Sequence, residues 1–216
     1  MTLFRRCWRP LVRLFVLAAA VAITWWWTTR SPMPADFRFR VVDPGRLYRS
    51  GQMDRTGFAQ VAGKHGIRTI VNLRGELPDP ELDSGLAESA LCRQLGIQYV
   101  PLKVGWVLDF VPGGHGAPAS VAASQVTPLL AEFFKIMDNP ANLPVLVHCA
   151  GGVHRTSVLV ALYRMEYQHW PPADALSELD DFGYDLSERP DERAVYEFIN
   201  RYRPRASAAQ TSSTLR

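Results

Sequence analysis

The residues with the clearest chemistry in this chain stand at His148-Cys149-Ala150-Gly151-Gly152-Val153-His154-Arg155-Thr156. They follow the short apolar run Val145-Leu146-Val147 and precede a stretch that reads as an apolar helix. A tight strand-loop-helix turn aims several backbone N–H groups at one point beside a helix N-terminus, and the helix dipole adds to the positive potential there. Gly151 and Gly152 permit unusual dihedrals and a close approach of backbone to ligand. Arg155 supplies a planar fork for two phosphate oxygens. The same field favours the thiolate of Cys149 at the mouth, and Thr156 can donate a hydrogen bond to that sulfur. The spacing therefore predicts a cradle of Ala150, Gly151, Gly152, Val153, His154 and Arg155 that binds a phosphate and activates a sulfur to attack it. A buried structural cysteine on a plain strand-helix turn is the bland alternative. It leaves the histidine before Cys149, the glycine three residues after it and the hydroxyl after Arg155 unexplained.

The elements that must position these residues follow from periodicity and punctuation. Residues 37–42 alternate apolar and basic side chains, as a half-buried edge strand does. Asp43-Pro44-Gly45 reads as a turn into a returning strand at 47–49. Asp54 can cap a helix running to His65 and ended by Gly66. A β-rich run at 69–73, a helix over 81–95 closed by Gly96, and a strand at 99–104 come next. Residues 105–123 hold four glycines and two prolines and read as a long surface loop. Helices are predicted over 125–137, 156–170, 174–179 and 191–202. Strands alternating with helices predict an α/β fold with a central, mainly parallel sheet flanked by helices, whose site lies beyond the carboxyl ends of its strands.

The pattern H-C-x-x-G-x-x-R-[ST] is the signature of the cysteine-dependent protein tyrosine phosphatase superfamily, and residues 148–156 match it at every fixed position. With the stretches VNLRGE (71–76) and VLVALYRM (158–165), it makes residues 40–200 resemble dual-specificity phosphatases of the bacterial and atypical branch. The resemblance implies a protein tyrosine phosphatase-like fold, a phosphocysteine intermediate on Cys149, a phosphoryl group clamped by Arg155, and no metal or cofactor. It implies that Thr156 assists the leaving thiolate during hydrolysis and that His148 orients the loop and tunes the thiol. His154 either contacts substrate or is an ordinary loop residue. The resemblance also implies a general acid on a mobile loop before the nucleophile. Asp109, the only carboxylate of 105–123, fills that place, with Gly105, Gly113, Gly114 and Gly116 as hinges. His115 and the cluster Asp180, Asp181 and Asp185 are the rivals.

Two departures bear on the substrate. Ser157 stands where many relatives have Gly, and Val153 where some inositol-phosphate-directed relatives have Lys. The second weakens a highly charged inositol polyphosphate as the substrate. A phosphorylated protein (on tyrosine, serine or threonine) or a small phosphomonoester is the expected substrate, with phosphoinositides and sugar phosphates as alternatives and no obligate protein partner. Two other functions compete. A catalytically inactive phospho-ligand-binding module would keep the cradle but lack a working acid. A rhodanese-like sulfur transferase would also place a cysteine in a loop, but the arginine spacing and Thr156 speak against it.

Other polar residues have two readings each. Arg74 braces the phosphate loop or makes an ordinary surface ion pair. Cys92 is a small core residue or a redox partner of Cys149. Cys7 precedes an apolar span and could carry an acyl chain.

Composition sets the frame around these residues. The chain has 216 residues, 47% hydrophobic and 21% charged, which fits one domain and excludes a wholly disordered chain. Three cysteines are too few for a disulfide framework. The net charge of +3 hides an uneven distribution: residues 36–200 hold 15 basic and 21 acidic side chains, while residues 1–35 and 201–216 carry arginines and no acid. Basic ends on an acidic body disfavour nucleic-acid binding. Residues 14–27 read LFVLAAAVAITWWW, and with their neighbours they approach the length of a bilayer core. Arg13 can snorkel at one edge and three tryptophans sit at the other. A signal anchor over 1–30 is the expectation. A signal peptide cleaved near Ala20-Val21-Ala22 and a buried helix are the alternatives. Four arginines before the span and one after it predict a cytoplasmic N-terminus and a catalytic domain outside, periplasmic in a bacterium. A linker at 31–36, a catalytic domain at 37–203 and a disordered tail at 204–216 complete the expected organisation.

Overall fold

A strand of apolar residues without polar alternation demands cover on both faces, and in the computed structural model of the protein the strand Val145–His148 has it, with all four residues buried. The structure describes residues 37–75, 87–112, 126–184 and 192–205. The chain divides into two compact units, Met1–Met33 and Pro34–Arg216, and every described residue belongs to the second.

Five strands, β1 (Arg40–Asp43), β2 (Leu47–Ser50), β3 (Thr69–Asn72), β4 (Gln98–Pro101) and β5 (Val145–His148), form one sheet in the order β1-β2-β5-β3-β4. The last four in that order run parallel, while β1 pairs antiparallel with β2. The sheet is thus mixed. The turn between β1 and β2, closed by Arg46 N donating to Asp43 O at 3.0 Å, is too short for anything but an antiparallel pair.

Side chains alternate across the sheet and split the core in two. Leu47, Val71, Val145 and Val147 enter the larger cluster, which α3 (Pro128–Asp138), α4 (His154–Gln168), α5 (Pro172–Asp181) and α6 (Arg193–Arg201) help to build. Tyr48, Ile70 and Leu146 enter the smaller cluster with α1 (Arg55–His65) and α2 (Glu88–Leu95). The ends of α1 match the sequence expectation: Asp54 Oδ1 accepts from Gly57 N at 2.7 Å, and Gly66 closes the helix at φ 62°. Residues Thr156 to Tyr163 of α4 are all buried, as befits a helix apolar on every side.

Several boundaries differ from those predicted. Helix α4 starts at His154, so His154 and Arg155 belong to its first turn. β4 stops at Pro101 because its partner β3 ends opposite, at Asn72. Helix α2 begins at Glu88, and the predicted part before residue 87 lies outside the described residues. Residues 105–111 are not a surface loop. They contain a 3-10 turn, Val107–Phe110, whose Val107 and Phe110 are fully buried. Gly113, Gly114, His115, Gly116 and Asp185, the apolar span of residues 14–27, the linker at 31–36 and all but the first two residues of the predicted tail lie outside the described residues. Among the described residues no helix is long and apolar enough to cross a membrane.

Candidate active site

Register brings the site together. Ser50 of β2, His148 of β5, Asn72 of β3 and Pro101 of β4 lie side by side at the carboxyl ends of their strands. The segments that follow each strand therefore converge: Gly51-Gln52, the loop 149–153, Leu73-Arg74, and the chain as far as Val104. That is the crevice in which open α/β sheets bind ligands.

Within the loop, every carbonyl from Cys149 to Val153 meets a donor outside the cup. His148 Nδ1 lies 3.3 Å from Cys149 O. Gln52 N donates to Ala150 O at 2.8 Å and Ser157 N to Val153 O at 3.2 Å. Arg38 Nη1 donates to Gly151 O, and Arg49 Nη2 to Gly152 O, both at 2.7 Å. Peptide planes whose oxygens turn outward present their N–H groups inward, which is how a backbone makes an anion cradle. One of these groups already points at the sulfur: Gly152 N donates to Cys149 Sγ at 3.2 Å.

The two glycines differ in necessity. Gly152 has φ 68°, and a Cβ there would lie 2.6 Å from Gly51 N and 2.7 Å from Ser50 O. Only glycine fits. At Gly151 an added Cβ would meet only Arg38 Nη1, at 3.5 Å, so the expectation that both glycines are needed holds for Gly152 alone.

Cys149 sits at the foot of the cup, 3% exposed. Arg155 is half-buried, and its Nη1 donates to Val104 O at 3.0 Å and Leu73 O at 3.3 Å. Both tethers fall on one nitrogen, which leaves the Nε–Nη2 edge of the fork for a pair of oxyanion contacts. Thr156 is fully buried, and its Oγ1 makes no hydrogen bond. A hydroxyl so placed, at the head of the helix behind the loop, is available to a sulfur anion.

His148 is fully buried and held by a network that the sequence does not announce. Its Nε2 lies 2.8 Å from Glu88 Oε1. Glu88 Oε2 accepts from Asn72 Nδ2 at 2.9 Å and Gln52 Nε2 at 3.4 Å. Cys149 O can only accept, and the shorter contact between Nε2 and Glu88 Oε1 likewise needs a hydrogen between the two atoms, so the ring is held from both sides. Arg74 extends the chain: its Nη1 donates to Gln52 Oε1 at 2.8 Å, and Gln52 N in turn holds Ala150. Arg74 therefore braces the loop at one remove.

Asp109 stands on the 3-10 turn that begins just past Val104, the residue that holds Arg155. Its Oδ2 accepts from Gly105 N at 2.6 Å and from Trp106 N at 3.2 Å. The turn is pinned by Val107 and Phe110 in the core, so Asp109 belongs to a fixed ledge rather than the mobile loop expected. Trp106 also faces His154 with ring centroids 5.6 Å apart, and His154 meets Tyr184 edge-on at 4.7 Å. His154 thus packs between the ledge and the turn after α5. Asp180 and Asp181 lie exposed at the end of α5. Cys92 lies in the smaller core cluster, whereas Cys149 borders the larger one. Burial, with the nearby Glu88 charge, pushes the Cys92 thiol up to about 12, which does not suit a redox partner.

Glu88, Gln52, Asn72, Arg38 and Arg49 are site residues that sequence reasoning missed. Arg49 left a trace as a charge in the strand LYRS, which lies inside the sheet, and Asn72 lies within the stretch VNLRGE.

The profile described as "Tyrosine phosphatase family" matches residues 33–214. The inositol diphosphatase DSP2 of Arabidopsis thaliana is 27% identical over 178 residues, 74% of this chain and 68% of that protein. The inositol diphosphatase SIW14 of Saccharomyces cerevisiae is 34% identical over 67 residues, 31% of this chain and 24% of the relative. Among solved structures, the Siw14 catalytic core superposes with a TM-score of 0.55 at 22% identity, covering 82% of this chain and 90% of that one. TpbA of P. aeruginosa gives 0.53 at 22% identity, covering 78% and 91%. At such identity these superpositions establish the fold.

Proposed function

The chain belongs to the tyrosine phosphatase family, and on that premise we propose that it hydrolyses phosphate monoesters through a phosphocysteine on Cys149. The observation that carries this reading is the loop in which all five carbonyls from Cys149 to Val153 are drawn outward around a buried sulfur. In the first step the thiolate attacks phosphorus; the S–P bond forms and the P–O bond breaks, with Asp109 giving a proton to the leaving oxygen. The cradle N–H groups and the Arg155 fork take the equatorial oxygens. In the second step water attacks phosphorus, Asp109 takes its proton, and Thr156 donates a hydrogen bond to the departing thiolate. His148, fixed by Glu88, keeps the loop in register.

The test is phosphate release from a substrate panel. Cys149→Ser should abolish turnover while still binding phosphate. Asp109→Asn should slow an alkyl phosphate far more than an activated aryl phosphate; equal slowing would transfer the proton to another group. The panel should include inositol diphosphates beside phosphotyrosine. They are favoured by the names of the two relatives and by Arg38 and Arg74, which bring charge to the loop; Val153 speaks against them.

The arginine imbalance about residues 11–29 supports a membrane anchor with the catalytic domain outside. A reporter fused after Arg216 should be active outside the cytoplasm; activity only in the cytoplasm would refute this orientation.

A further inference from the structure

Arg49 is 1% exposed and lies directly behind the phosphate loop. Its Nη2 donates to Gly152 O at 2.7 Å and to Ser157 Oγ at 2.6 Å. Its Cζ lies 3.6 Å from the centre of the Phe182 ring, a close cation–π contact. Nε and Nη1 are buried without a hydrogen-bond partner, and among the described residues no carboxylate pairs with it. A guanidinium kept in the core for packing alone would be met by a carboxylate or have its N–H groups satisfied. This one is instead placed at the positive end of α4, where the helix dipole repels it. Two unfavourable features at one spot are explained together if an anion belongs in front of them.

Resting on the phosphatase reading above, we propose that Arg49, seated by Ser157, is a positioning residue of the phosphate loop. It fixes Gly152 through the carbonyl, and its charge is balanced by the anion in the cradle, first the Cys149 thiolate and then the phosphoryl group. The proposal also accounts for Ser157. The hydroxyl is the second acceptor that holds the fork under the loop, and a glycine at that position would leave it unheld. Burial pushes the guanidinium down to about 10, so it stays a cation at neutral pH, opposed by Glu178 first and then the Cys149 sulfur. Glu178 is already engaged by Arg164, whose charge acts on Arg49 as that of Arg40 does. The other titratable groups on the elements about the loop are His148 on β5, His154 and Arg155 on the first turn of α4, Arg38 on Gly151 O, Arg74 behind Gln52 and Asp109 on its ledge.

Two measurements on the full chain test this without turnover: the pH profile of Cys149 alkylation by iodoacetamide, read by mass spectrometry, and the affinity for tungstate. In Arg49→Met, the midpoint of the alkylation profile should move up by one pH unit, about tenfold less thiolate below it, and tungstate should bind at least about tenfold more weakly. Arg49→Lys, which keeps the charge, should restore most of the alkylation profile, a rescue that mere packing would not give. Should Arg49→Met fail to fold, Ser157→Ala carries the test: it should weaken tungstate binding by about threefold, the loss of part of one charged hydrogen bond. A folded Arg49→Met with the wild-type profile and affinity overturns the proposal, as does Ser157→Ala with unchanged tungstate binding. The outcomes separate it from the phosphatase reading: wild-type protein that releases no phosphate while the Arg49 variants shift as stated sinks that reading and leaves this one.

Discussion

At the scale of single residues, the loop explains why its signature has glycine where it does. The residue three after the cysteine must be glycine because Ser50 and Gly51 of the neighbouring strand occupy the space of a side chain and because φ is positive there. Gly152→Ala should therefore abolish phosphate-ester hydrolysis and tungstate binding, while Gly151→Ala should keep both within about threefold, since its Cβ would meet only the end of a flexible arginine. Equal damage by both, measured by activity and calorimetry, would mean that the loop is not packed as described. The two described cysteines separate by chemistry as well. Burial raises the Cys92 thiol to about 12. Its protonated form is what the fold keeps, so its contribution to stability is whole below the unfolded value near 8.5 and is lost as pH climbs toward 12. Iodoacetamide at pH 8 should label Cys149 and spare Cys92 until the protein is unfolded, as peptide mapping would show. These roles differ in how far residue order reveals them. Cys149, Arg155 and Thr156 are specified by their spacing alone. Glu88 and Gln52 reach the same site only through folding, and no local pattern in the sequence distinguishes them from surface residues.

At the scale of elements, strand register decides the site. Ser50, His148 and Asn72 end level, so three connections with no sequence relation meet around one sulfur. The order of strands and helices could be read from apolar periodicity and from caps such as Asp54 and Gly66, because those signals are local. The register could not, since it depends on contacts between segments up to a hundred residues apart. The turn Val107–Phe110 shows the limit most clearly. The glycines and prolines of residues 105–123 suggest a flexible loop, yet two buried side chains fix Val107–Phe110 close to Arg155. Phe110→Ala should therefore lower kcat for poor leaving groups by about tenfold or more through displacement of Asp109, and should destabilise the fold by about 3 kcal/mol, as truncation of a buried aromatic does. A variant that loses stability but keeps the wild-type ratio between alkyl and aryl phosphates would detach Asp109 from the reaction.

At the scale of the whole folded unit, the segment after α6 is clasped to the large core face by Arg205. The guanidinium bonds Glu166 Oε1 at 2.6 Å and Asp138 Oδ2 at 3.0 Å and lies 4.4 Å over the Phe134 ring. Glu166 is nearly buried and also accepts from Tyr202 at 2.6 Å. Removing the arginine leaves that carboxylate in the core, so Arg205→Ala should cost about 2–3 kcal/mol of stability. The pH dependence follows from Asp138. Burial pushes its carboxyl up, but hydrogen bonds from Arg205 and Tyr167 outweigh this and hold it below the ordinary range. That stabilisation is present above the unfolded value near 3.9 and disappears as pH falls through the lower folded value. The gap in Tm between wild type and Arg205→Ala should therefore be full at pH 7 and narrow below about pH 4. A constant gap down to pH 3 would remove Asp138 from the clasp.

The central claim is that Cys149 carries the phosphoryl group between two half-reactions. Acid quench of the full chain during turnover of an aryl phosphate, followed by peptide mass spectrometry, reads that claim directly. The account predicts one added phosphoryl group on the peptide holding Cys149, absent in Cys149→Ser and in unreacted protein. Steady release of phosphate with no adduct on Cys149 at any quench time, or near wild-type turnover by Cys149→Ser, would contradict it.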